Sequence, residues 1–460
     1  MSATATRADV SRLFGRAAFG ATRKDLDTWT GQPYEAVVDS LFPPGPPGSS
    51  GRLPQVDEAE QAVQDFQTSD AGQAYRWWLE RMRTTPYPLE ERMTLFWHDH
   101  FATAAIGSPD VGAVMMQNRT LRLNALGSFR TLANAMTVDG AMVVWLSGVA
   151  NYAGGVNENY AREFLELFTL GTVPQVYSET DIREAAKAFT GFIFNTVTRL
   201  SEFDPTRHDT SVKTVLGRSI GGHAPGSPEE ALEYREVTEA ALAHDGGRTA
   251  SRFVAYKLVQ QFGYEVTGLA SSDPVVEDVA AALRANDAWD LKAAVRTMLL
   301  HPGWREADPA RRLVRSPVEV MVHAAKALGY PNPTVYGSLL WPNAIQPIVE
   351  RTLQAPLLPP NVGGWPHGLD WLSQVSTLAR YDVVYTIVQY FHNAGLSLAF
   401  PLPASGDLAG WAAYMGLDGF TTNTTLRLRE YLDDPGTTDE IQKQIGMFVL
   451  VGTSPDWQVM

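Results

Sequence analysis

Four short stretches of this 460-residue chain set groups that can move protons or hold a cation close together. In residues 157–171 (NENYAREFLELFTLG), Asn159, Arg162, Glu163 and Glu166 recur at offsets of three and four, one stripe of a helix. Tyr160, Phe164, Leu167 and Phe168 form the opposite, apolar stripe. Such a polar face is either an ordinary wet surface or the wall of a cleft. As a cleft wall it offers Glu163 and Glu166 as catalytic carboxylates, with Asn159 and Arg162 as substrate contacts.

Residues 93–103 (MTLFWHDHFAT) contain His98 and His100, the pattern of a metal-ligating pair. Positions two apart on a helix point about 200° apart, so both can reach one ion only if the helix ends near His98. His100 also lies among Phe96, Trp97 and Phe101, where a hydrogen-bonded core histidine is equally at home.

Arg207, His208 and Asp209, with Lys213, pack imidazole, carboxylate and amine into a loop. The group could relay a proton or bind an anion. The plain alternative is a turn with a surface ion pair worth under about 1 kcal/mol. Residues 361–371 (NVGGWPHGLDW) could make a stacking platform from Trp365 and Trp371, with His367 and Asp370 as polar handles and Asn361 as a further substrate contact. Otherwise tryptophan simply pins the loop into the core. The Lys-Ser/Thr ending of a phosphate loop is missing, as are G-x-S-x-G, H-E-x-x-H and EF-hand signatures. His223, His244, His301, His323 and His392 stand alone and are read as structural.

Three functional readings follow. In the first, His98 or His100 joins Glu163 and Glu166 around a divalent metal ion, while His208 and Asp209 handle protons. This is metal-assisted hydrolysis of a polar, saccharide-type small molecule. In the second, a metal-free acid/base glycosidase sets two carboxylates across a bond and stacks sugar on tryptophan. Glu163 and Glu166 share one face, so that reading needs an opposing carboxylate such as Asp209. The third is a non-enzymatic helical binding or assembly protein tied together through Arg162.

The elements that must position these groups are mostly helices, and the expected class is mainly α, a large multi-helix body. Ser178 and Asp181 have capping-box spacing, and Ser316-Pro317 opens a helix with proline first. The β-rich stretches 192–197 and 212–216 predict one small hairpin around residues 191–217. Residues 43–51 (PPGPPGSSG) read as a linker. The expected organisation is residues 1–55 as N-terminal helices and linker, 71–330 as the main body carrying the site, and 331–460 as C-terminal helices with the Pro/Gly/Trp loop, packed as one unit with it.

Composition narrows the classes. The net charge is −14 with no Lys/Arg run, which argues against nucleic acid. The absence of cysteine excludes disulfides, thiolate metal sites and cysteine nucleophiles. No run of about 18 apolar residues is present, so no membrane span is expected. The opening residues lack an apolar leader, so the expected location is cytoplasmic, or exported if a leader was removed.

Taken in order, several blocks resemble the bacterial family known as domain of unknown function 1800. They are residues 13–22, 93–103, 157–171 and 186–191, His208-Asp209 with Lys213 and Gly217, residues 315–319 and 359–366, and Trp371-Leu372 with Arg380. The resemblance covers nearly the whole chain and implies one large, mainly helical unit. It supplies no reaction. Many relatives look exported and are encoded beside a sulfatase-like family, which implies a sulfatase-like protein partner. Ser147 stands where relatives commonly have aspartate, so position 147 is not counted as catalytic. The resemblance also strengthens the expectation that Glu163, Glu166, His98, His100, His208 and Asp209 meet in one pocket.

Overall fold

A computed structural model describes residues 3–45, 71–106, 109–306, 313–328, 346–393 and 401–460. The expected linker lies outside the described residues from position 46 onward. Helices dominate, and the chain is mainly α. Their ends follow local chemistry. Ser178 Oγ accepts from the N–H of Asp181 while the Asp181 carboxylate accepts the Ser178 N–H, starting the helix Glu179–Ala188. Ser316 and Glu319 repeat this at the helix Pro317–Ala327, where proline takes a position that needs no N–H.

The small β region holds β1 (Phe192–Phe194), β2 (Ser201–Phe203), β3 (Lys213–Val215) and β4 (Arg218–Ile220). β1 pairs antiparallel with β2, Phe192 facing Phe203, and β3 pairs with β4, Lys213 facing Ile220. The two β-rich stretches therefore do not pair with each other. Each has a partner within a few residues, and the shorter loop is the cheaper one to close.

Two apolar clusters form the interior. One gathers residues from Ala5 to Trp304, and the other joins the helix Ala71–Thr84 to residues 314–457. The helix Pro88–His100 lies between them: Leu89, Met93, Phe96 and Trp97 enter the first cluster, and Leu95 the second. Its polar residues other than Asp99 are thereby buried. Glu91 is fully buried and bonded to Arg81, Arg122 and Trp78 Nε1. Burial works to raise its pKa, but the two guanidinium groups win and hold it near 2. No helix among the described residues is long and apolar enough to cross a membrane.

Candidate functional site

The 157–171 block begins as an α-helix, Asn159–Glu163, and widens into a π-helix over Phe164–Thr169. The helix ends at Thr169, so its last carbonyls have no partner within it and must be satisfied from outside. His100 Nε2 donates to the Phe168 oxygen at 3.0 Å, and Lys257 Nζ donates to the Leu167 oxygen at 3.3 Å. A cation also suits the negative end of a helix. Both side chains line one cavity of about 450 Å³, so the most informative stretch of sequence supports that cavity from behind.

Asp99 is the pivot of the cavity. Its Oδ1 accepts the Trp365 N–H at 2.7 Å and its Oδ2 lies 3.1 Å from His367 Nε2. Gly364 permits this approach: it has φ 89°, and a Cβ there would lie 2.3 Å from Asp99 Oδ1. Burial works to lower the His367 pKa, but the hydrogen bond and charge of Asp99 outweigh it, and the net shift is upward. The His367 side chain is 58% exposed, so its other nitrogen can meet solvent or ligand. Burial pushes the Lys257 ammonium down to about 8, opposed by the charge of Asp99.

On another wall stand Ser316, Glu319, Gln354 and Trp371. Glu319 lies 2.8 Å from Arg92, and both are buried. Arg315 and Arg380, also buried, feel the charge of the same carboxylate.

The expected convergence of six groups does not occur. Arg162 bridges Glu179 at 2.6 Å and lies 3.6 Å from both Glu158 and Glu166, an ion network against the neighbouring helix Glu179–Ala188. Glu163 is half-buried, and burial, then the charge of Glu166, raises its pKa. Asn159 is exposed and donates to the Leu146 carbonyl. His208 is sealed between Thr190 and Glu233, whose Oε2 lies 3.2 Å from its Nε2 and 2.5 Å from Lys213 Nζ. Lys213 is fully buried and Asp209 caps the turn at Ser211, so neither faces an open site. None of Glu163, Glu166, His208 and Asp209 lines the cavity.

His98 and His100 diverge because the helix stays regular through both. His98 packs between Trp78 and Trp365 with both ring nitrogens unbonded, and burial lowers its pKa to about 4. His100 sits among aromatic rings, its pKa held well below 6.5 by burial and then by Lys257. Among the described residues no group of three or more His, Asp or Glu is arranged to hold a metal ion. Trp365 and Trp371 do line the cavity, but each is 3% exposed and forms wall rather than an open platform. Asn361 is exposed and accepts the Gly363 N–H within its own loop.

His367 is the histidine of the 361–371 loop read as a polar handle, whereas Asp99 and Lys257 carry no role in that reading. Asp99 was hidden between two histidines that drew attention as ligands. Lys257 had a usable signal: it is the lysine on an otherwise mostly buried stretch of the helix Arg248–Phe262.

The model of the family described as "Protein of unknown function (DUF1800)" matches residues 12–459. The chain belongs to that family, and the cavity lies wholly within the matched region apart from Met460. No curated protein and no solved structure matches the chain.

Proposed function

We propose that the cavity is the active site of a hydrolase-type enzyme acting by acid/base chemistry on a small polar molecule. The observation that carries this is the Asp99–His367 pair, 3.1 Å apart at a cavity of about 450 Å³. That volume lies in the range of small-molecule sites. Asp99 orients the imidazole through Nε2 and favours its protonated form, leaving Nδ1 to exchange a proton with water or substrate. Lys257, half-buried beside them, offers a positive charge to any oxygen on which negative charge develops. A sugar would have to enter the cavity, since the tryptophans form its wall.

The metal-assisted version has less behind it. Asp99 and His367 would give a divalent ion two donors, with water or substrate completing the shell.

The test is turnover of chromogenic esters, phosphoesters and glycosides, with and without added divalent ions. His367→Ala and Asp99→Asn should each lower kcat/KM by about 100-fold or more, with both variants still folding cooperatively at the assay temperature. Glu166→Gln should turn over as wild type does. Full activity in His367→Ala defeats the proposal.

A further inference from the structure

The walls of the cavity carry an unequal charge. Lys257 lines it and lies 5.1 Å from the Phe253 ring; among the described residues it donates to the Leu167 carbonyl alone and has no carboxylate within ion-pair distance. Behind Glu319 stand Arg92, Arg315 and Arg380, each 2% exposed or less. One Nη1 of Arg92 and one of Arg315 are sealed from water with no hydrogen-bond partner. Of these four cations only Lys257 lines the cavity, and the three arginines lie behind Glu319. The buried or half-buried carboxylates on the wall are two, Asp99 and Glu319, of which Asp99 is already shared with His367.

The remaining acids of the wall, Glu265 and Asp370, are exposed on the rim. Water and salt screen their charge within about 10 Å, whereas the buried cations act through a poorer dielectric. The interior is therefore positive although the chain as a whole carries −14.

A neutral donor stands on the Glu319 wall. Gln354 is 4% exposed and lines the cavity, and its Oε1 already accepts the Val318 N–H at 2.9 Å. That bond fixes the amide and leaves its NH2 end as the group free to donate. Gln261, one helical turn from Lys257, lines the cavity as well.

We propose that the substrate presents an oxyanion, a carboxylate or a phosphate or sulfate group, which seats against Lys257 and the Gln354 amide. This rests on the cavity being the active site and adds the class of molecule it takes. The oxyanion neutralises an ammonium that has no ion-pair partner among the described residues, and desolvating an already partly dry cation costs less than desolvating one from bulk water.

The experiment titrates the intact protein with sodium acetate, inorganic phosphate and sulfate against matched sodium chloride, following heat and the fluorescence of the wall tryptophans. Wild type should bind at least one of the three saturably. Lys257→Met should weaken that binding about 10-fold or more, and Lys257→Arg should stay within about threefold. Gln354→Glu keeps the acceptor for Val318 and replaces the donor by a charge, so it should also weaken binding about 10-fold or more. Above the raised His367 pKa, where that ring is neutral in wild type too, His367→Ala should bind the anion within about threefold of wild type. Loss of turnover with retained anion binding in that variant separates the seat from the acid/base reading. The proposal is overturned if wild type binds none of the three anions, or if Lys257→Met and Gln354→Glu, both folded, bind as wild type does.

Discussion

Alanine at Gly364 and at Gly368 makes a matched pair that isolates what the loop does for Asp99. Both glycines hold left-handed backbone, at φ 89° and 56°, so alanine strains either by about 1 kcal/mol. Their surroundings differ. A Cβ on Gly368 would meet nothing within 4 Å, whereas one on Gly364 would lie 2.3 Å from Asp99 Oδ1 and 2.7 Å from the Asp99 carbonyl oxygen. The second contact is with backbone, so no rotamer change relieves it. The loop must back away, and the Trp365 N–H then loses its charged acceptor, a loss of about 1.5–3 kcal/mol. Gly364→Ala should therefore cost about 2.5–4 kcal/mol and Gly368→Ala about 1 kcal/mol, both read from urea unfolding. Proton NMR of the His367 ring should show its pKa above 6.5 in wild type and Gly368→Ala, falling back toward 6.5 in Gly364→Ala. Equal losses of stability in the two variants, or an unmoved His367 titration in Gly364→Ala, would refute this reasoning.

Three further outcomes follow from groups described above. Because Asp99 raises the His367 pKa, their pairing stabilises the fold below about pH 6.5 and is lost as pH rises through the raised value. The stability gap between wild type and His367→Ala should accordingly close on the alkaline side, and a gap that widens there contradicts the pairing. Glu233→Ala leaves Lys213 buried without its counter-charge and should cost about 3–5 kcal/mol by denaturant unfolding. Glu166→Gln, in a part-exposed network, should change stability by less than about 1 kcal/mol, with the difference shrinking in high salt.

Local chemistry was legible in the residues, and long-range placement was not. The capping pairs Ser178–Asp181 and Ser316–Glu319 and the leading Pro317 announce their helices because each acts within one turn. The 157–171 amphipathic pattern likewise reports a helix, but nothing in 3.6-residue spacing announces that its second half opens into a π-turn. Nor can spacing say that Arg162 finds Glu179 17 residues later. His98 and His100 failed as a pair for a reason visible in advance, since a regular helix points them apart. Asp99 and His367 lie 268 positions apart (367 − 99), and only folding brings them within 3.1 Å. Two of the four stretches singled out by residue type, 93–103 and 361–371, do line one cavity, while His208 and Asp209 belong to a closed charge cluster and its turn.

The short pairing of Leu313 and Arg315 with Gln458 and Met460 has a consequence for how the cavity comes into being. Leu313 and Met460 exchange both backbone hydrogen bonds, at 3.0 and 2.8 Å, and all of Leu313, Val314 and Met460 line the cavity. A chain made only as far as His367 still lacks that clasp. The hollow thus cannot close until residue 460 is in place, and a fragment ending before residue 458 should lack the closed cavity.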